Sequence, residues 1–144
     1  MPIVKDFMTT NVITIDAQKT VLEAAKLMHQ QGVGDLVVME GKMPKGIVTE
    51  RDLVRRVMAQ KKPLETKVSE IMSAPLITID EDASLKDAAR KMIKNKIRRL
   101  AVKKKNELVG IVATSDFARH LSKKTLTEEI LEAISRYPFA DANQ

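Results

Sequence analysis

The sequence predicts an α/β fold built from two copies of one β-α-β-β-α unit, and three observations carry that prediction. An internal repeat runs at an offset of 64 residues: residues 4–55 align without a gap on residues 68–119, and sixteen of the 52 positions are identical. The matches fall in every segment, among them Met8/Met72, Ile13/Ile77, Thr14/Thr78, Asp16/Asp80, Ala24/Ala88, Met28/Met92, Gly46/Gly110 and Asp52/Asp116. Duplication explains that spread better than chance. Within each copy, apolar residues also alternate between short β-rich runs and helical spacing.

The elements follow in chain order. Val4, Phe7 and Met8 have helical spacing. Val12-Ile13-Thr14-Ile15 then reads as a brief extended run, mirrored by Leu76-Ile77-Thr78-Ile79. Thr20-Val-Leu-Glu23 is a capping-box signature, and Ser84-Leu-Lys-Asp87 is a weaker relative of it. Behind these caps Val21, Ala24, Ala25 and Met28 line one helical face, as do Leu85, Ala88, Ala89 and Met92. Two β-rich runs follow, Leu36–Val38 and Gly46–Val48, with counterparts Leu100–Val102 and Val109–Val112. Lys103-Lys104-Lys105 is expected in the hairpin turn. A last helix is expected near Asp52 and Asp116, where a carboxylate suits a helix N-terminus.

These patterns predict a first domain over residues 1–59, a polar, proline-bearing linker over 60–66, a second domain over 67–122 and a helical tail over 123–144. In the tail, Thr127 opens an amphipathic stretch that Pro138 should stop. One copy of roughly 50 residues buries too little surface to be stable alone. Two copies packed sheet to sheet as a pseudo-two-fold pair would cover each other's apolar faces.

Composition narrows the chemistry. The chain has 144 residues, 44% of them hydrophobic and 31% charged, which suits a soluble domain rather than a disordered tail. It has no cysteine, so thiolate metal sites and cysteine nucleophiles are excluded. No apolar run reaches the roughly 20 residues of a membrane span, and the N-terminus lacks a signal-peptide core, so a cytoplasmic protein without membrane contact is expected. A net charge of +6 favours anionic partners, while three Phe, one Tyr and no Trp leave little for bases to stack on. His29 and His120 are the two histidines, and neither a metal cluster nor a Ser/His/Asp set surrounds them. No enzyme activity and no required cofactor are therefore expected.

The pattern Gly-h-h-x-x-x-Asp (h, apolar) stands twice, as Gly46-Ile-Val-Thr-Glu-Arg-Asp52 and as Gly110-Ile-Val-Ala-Thr-Ser-Asp116. With Asp6-Phe-Met8, Glu70-Ile-Met72 and the runs after them, the chain resembles the cystathionine-β-synthase (CBS) domain pair, or Bateman module, over residues 1–122. The resemblance implies a regulatory sensor that binds AMP, ADP, ATP or S-adenosylmethionine in clefts between the copies. It also implies a homodimer that signals to a regulated protein not identifiable from the sequence. An aspartate at the last helix can accept both ribose hydroxyls, and hydroxyl and N–H groups beside it can donate to phosphate.

Carried over by position, the resemblance assigns one site to Asp116 for ribose, with Ser115, Arg99 and the nearby Arg98 facing phosphate. Met8, Val12, Ile13 and Val33 would frame that adenine. The other site would use Asp52 for ribose and Thr49 for ribose or phosphate, with Leu76, Ile77 and Ile97 framing its adenine. The chain departs from the pattern twice: Ala113 replaces a hydroxyl residue, and Gly34-Asp35 stands where the second copy has Arg98-Arg99. A stronger second site and a weaker first one are expected.

Plainer readings stand beside these. Asp52 and Asp116 also suit simple helix caps. Arg98-Arg99 and the lysine run also suit solvated charge. Gly32-Val-Gly34 lacks the third glycine of a dinucleotide fingerprint and precedes a strand, so it is set aside. Leu53, Val54, Val57, Phe117, Ala118 and Leu121 are expected to form a dimer face beside Arg55, Arg56 and Arg119. The competing class is a basic nucleic-acid-binding or scaffolding module with vestigial clefts.

Overall fold

The computed structural model describes residues 2–119, Ile130 and residues 134–136. Most of the tail, including the expected helix start at Thr127 and stop at Pro138, lies outside these residues, as do His120 and Leu121. The chain has a mixed α/β architecture with two three-stranded sheets. It divides into two compact units: Val12–Ile77 is one, and Met1–Asn11 together with Thr78 onward is the other.

In the unit Val12–Ile77 the order is β1 (Thr14–Asp16), α1 (Val21–Gln31), β2 (Asp35–Glu40), β3 (Met43–Thr49) and α2 (Glu50–Asp52), which runs on into a π-helical stretch, Leu53–Met58. Strand β1 pairs in parallel with β2, and β2 pairs antiparallel with β3. Helix α1 forms because Thr20 and Glu23 complete the capping box, and it stops at Gly32 with φ of 65°. Its face of Val21, Ala24 and Met28 is buried against Leu36, Val38 and Val48. Val68 and Ile71 belong to the same core although they come from the second repeat.

The other unit repeats this order with β4 (Thr78–Asp80), α3 (Leu85–Asn95), β5 (Arg99–Lys104), β6 (Glu107–Ala113) and α4 (Thr114–Arg119). Its register copies the first: Thr78 pairs with Ala101 as Thr14 pairs with Val37. Helix α3 has one arm of the box, from Ser84 Oγ to the Asp87 N–H at 3.0 Å.

Each last strand receives the segment that precedes the other copy's first strand. Ser73 and Ile47 exchange two backbone hydrogen bonds, of 2.9 and 3.0 Å, in one unit. Thr9 and Ile111 do the same, at 2.8 and 2.9 Å, in the other. Gly46 and Gly110 make this approach possible. A Cβ on Gly46 would lie 2.5 Å from the Ser73 carbonyl oxygen, and one on Gly110 would lie 2.7 Å from Met8 Sδ and 2.9 Å from the Thr9 oxygen.

Several local expectations are corrected. The strands begin at Thr14 and Thr78, so Val12, Ile13, Leu76 and Ile77 precede them. Val4–Asp6 and Val68–Glu70 are single 3-10 turns. Lys103 and Lys104 sit on β5, and only Lys105 enters the turn, with φ of 55°. Val57 and Phe117, expected on a dimer face, are core residues with exposures of 4% and 1%. Their apolar side chains complete the interior, and Val54 and Met58 are the large apolar residues of Leu53–Met58 left exposed.

Candidate functional site

The antiparallel pair in each unit ends on one frame. Asp35, first in β2, pairs with Thr49, last in β3; Arg99, first in β5, pairs with Ala113, last in β6. The chain then turns at once into a helix, and the first helical N–H donates back across the pair. Glu50 N–H reaches the Gly34 carbonyl and Thr114 N–H the Arg98 carbonyl, both at 3.0 Å.

The motif aspartates sit three residues past the strand end, at the third helical position rather than at the cap itself. Asp52 Oδ2 accepts from the Thr49 N–H at 2.9 Å and from Thr49 Oγ1 at 3.2 Å, while the Asp52 N–H donates to Thr49 Oγ1 at 3.2 Å. This is a complete capping box. Asp116 Oδ2 accepts from the Ala113 N–H at 2.8 Å. Ala113 has no hydroxyl, so the arm that Thr49 supplies in the first copy is missing in the second. Both carboxylates are buried, Asp52 at 8% and Asp116 at 3% exposure.

The remaining expected site residues divide between the units. Thr49, Asp52, Leu76 and Ile77 share the unit Val12–Ile77, where Leu76 N–H also donates to the Lys45 carbonyl at 3.2 Å. Val12, Ile13 and Val33 belong to that unit too, and Ile13 and Val33 pack against its core. Met8, Ile97, Arg98, Arg99, Ser115 and Asp116 belong to the other unit. The apolar residues of the set are half-buried, Arg98 and Arg99 likewise, and Ser115 is exposed.

The sequence reading did not assign two residues near Asp52 to the site, and it set one of them, Arg56, beside a dimer face. Arg56 Nε lies 3.5 Å from Asp52 Oδ1, and its Nη1 donates to the carbonyls of Ile71 at 3.0 Å and Met72 at 3.3 Å. Arg56 thus ties the buried carboxylate to the lead-in segment of the second repeat. The i,i+4 spacing to Asp52 signals the ion pair; nothing local signals the carbonyls. Arg51 takes the repeat position of Ser115, so the first copy has a cation where the second has a hydroxyl.

An open groove of about 460 Å³ lies in the same unit, between the end of α1 and the start of α2. Ala25, Met28, Leu53 and Val54 line it, with His29 and Glu50 as its ionisable groups, and Val33 is the one expected site residue on its wall. Among the described residues no three His, Asp or Glu side chains are grouped to hold a metal ion. Nor is any helix among them long and apolar enough to cross a membrane.

Comparison with known proteins agrees with the fold. The chain is 45% identical over 118 residues to the CBS domain-containing protein YhcV of Bacillus subtilis, covering 82% of this chain and 84% of that protein. An uncharacterized conserved protein from Pyrococcus horikoshii superposes with a TM-score of 0.78 at 30% identity, over 88% of this chain and 96% of its own. The CBS domain pair of protein MJ0100, solved with 5′-methylthioadenosine and S-adenosyl-L-methionine, superposes with a TM-score of 0.76 at 29% identity, over 87% and 99% of the two chains. The CBS domain family model matches twice, at residues 4–59 and 68–123. With two matches that together span most of its length, the chain belongs to the CBS domain family.

Proposed function

We propose that this chain is a regulatory module that binds an adenine nucleotide chiefly at the Arg99/Asp116 strand end and passes its occupancy to a partner protein. The observation that carries the reading is the cross-strand pairing of Arg99 with Ala113, the residue whose N–H holds Asp116. It sets Arg99 opposite the residue that anchors a buried carboxylate, at one end of one sheet. A nucleotide offers the complement: a ribose diol that donates to a carboxylate, and a phosphate that accepts from arginine and from the Ser115 hydroxyl. Met8, which shares the unit of Asp116, is assigned to its adenine. Thr49, Asp52, Leu76 and Ile77, which share the other unit, are assigned to a second adenosyl ligand. The MJ0100 pair, solved with 5′-methylthioadenosine and S-adenosyl-L-methionine, supports the adenosyl part of that ligand.

Assembly as a homodimer belongs to the same reading. Val54 and Met58, with exposures of 55% and 74%, leave apolar surface on the first repeat's last helix that a second copy would cover. Light scattering at micromolar concentration should give twice the 16.1 kDa chain mass; a value near the single mass contradicts it.

Thermal denaturation with AMP, ADP and ATP tests the binding itself. A ligand at about 100 times its Kd should raise Tm by roughly 5–10 °C. The shift should survive a rise from 50 to 200 mM salt with only a modest loss. No shift with any adenosine compound, or binding to nucleic acid with a log–log salt slope of about −0.9 per phosphate contact, favours the competing polyanion-binding class.

A further inference from the structure

The two strand ends share a frame and differ in charge. Four positions around it can be compared through the repeat: Gly34 with Arg98, Asp35 with Arg99, Glu50 with Thr114, and Arg51 with Ser115. Their formal charges sum to −1 in the first copy and +2 in the second. The backbone around them is matched, in the strand register, in the 3.0 Å helix-to-loop hydrogen bond and in the buried aspartate. The inversion is therefore a property of the side chains.

Packing reinforces it. A Cβ on Gly34 would lie 2.6 Å from Glu50 Oε1. The Glu50 carboxylate thus fills the space beside the backbone where the second copy carries the Arg98 side chain. Arg51 is the one cation among the four first-copy positions. Arg56 is already engaged with Asp52 and with the Ile71 and Met72 carbonyls. A phosphate brought beside Asp35 and Glu50 meets like charge, whereas a cationic group there meets attraction.

We propose that the two ends select different adenosyl ligands. The Arg99/Asp116 end takes a nucleotide bearing phosphate. The Asp35/Asp52 end takes an adenosyl compound whose 5′ substituent is cationic or uncharged, such as a sulfonium or a thioether. The proposal rests on the nucleotide-binding reading above and assigns a ligand class to the end that reading leaves open.

Calorimetric titration of the full chain tests it, with AMP and S-adenosylmethionine as probes. S-adenosylmethionine should bind the chain already saturated with AMP. Asp35→Arg should weaken S-adenosylmethionine at least tenfold while leaving AMP within twofold, and Arg99→Asp should do the reverse. Asp35→Asn keeps the side-chain shape, so it carries the test where Asp35→Arg does not fold, with about a threefold loss expected. One-for-one competition between the two ligands overturns the proposal. So does S-adenosylmethionine binding unchanged in both Asp35 variants, or its failure to bind while AMP binds; each of these leaves the nucleotide reading intact. Failure of every adenosyl compound overturns that reading itself.

Discussion

Asp52 and Asp116 act as helix caps, and the proposed function adds ribose binding, a role that the sequence presents as an alternative. Each accepts the N–H of the last strand residue, at 2.9 and 2.8 Å, and so caps its helix. That bond also fixes a buried carboxylate in one orientation, as a ribose receptor requires. The glycines preceding them are legible in the sequence as motif letters, yet their physical reason appears only in three dimensions. Gly46 and Gly110 leave room for a crossing backbone, and an added methyl group would meet carbonyl oxygens at 2.5 and 2.9 Å. Gly110→Ala should therefore destabilise by about 1–3 kcal/mol, lowering Tm by roughly 3–10 °C. A melting temperature within 1 °C of wild type would contradict the crowding argument.

At the scale of the element, the copies differ in how their first helices begin and end. Helix α1 has the full Thr20/Glu23 box and stops at Gly32, whereas α3 has one arm and stops at Lys96 with φ of 57°. A side chain in that left-handed conformation is strained, so Lys96→Gly should raise stability by about 0.5–1 kcal/mol, read from the denaturation midpoint. Chiefly because its carboxylate accepts the Thr20 backbone N–H, Glu23 is held below the usual carboxylate range. A lowered carboxyl pKa contributes stability above that range and loses it as pH falls through the lowered value. Wild type should therefore exceed Glu23→Gln in stability at pH 7, and the gap should close between about pH 5 and pH 3. Spacing made these caps legible. The π-helical stretch Leu53–Met58 was not, because the contacts made there by Val57 and Arg56 are tertiary.

For the molecule as a whole, the repeat announces two copies but not the exchange of their lead-in segments. Nothing local in Val68, Ile71 or Ser73 says that they belong with the sheet that precedes them. The burial of Val68 and Ile71 with the first core, and the Ser73–Ile47 bridge, reveal it. Each such side chain is worth about 1.5–3 kcal/mol of burial. Cutting the chain at Lys62 should thus leave both fragments unfolded or aggregated singly and folded when mixed, as followed by circular dichroism. The excised segment Val12–Ile77 keeps these contacts and should retain more structure than residues 1–62. Cooperative folding of isolated residues 1–62 would contradict the exchange.

The central claim is that Asp116 receives the ribose of an adenine nucleotide, and calorimetric titration with AMP of the wild type, Asp116→Ala and Asp52→Ala tests it most directly. Asp116→Ala removes two charge-assisted hydrogen bonds, each worth about 1.5–3 kcal/mol, so AMP affinity should fall at least tenfold. Asp52→Ala should cost AMP less, because that end carries Asp35 where the other carries Arg99. Both changes also remove a cap worth about 1 kcal/mol, so the titrations belong well below the melting temperatures. A tenfold or greater loss confined to Asp116→Ala is the predicted result. Unchanged AMP binding in Asp116→Ala, or equal losses in the two variants, would contradict the account.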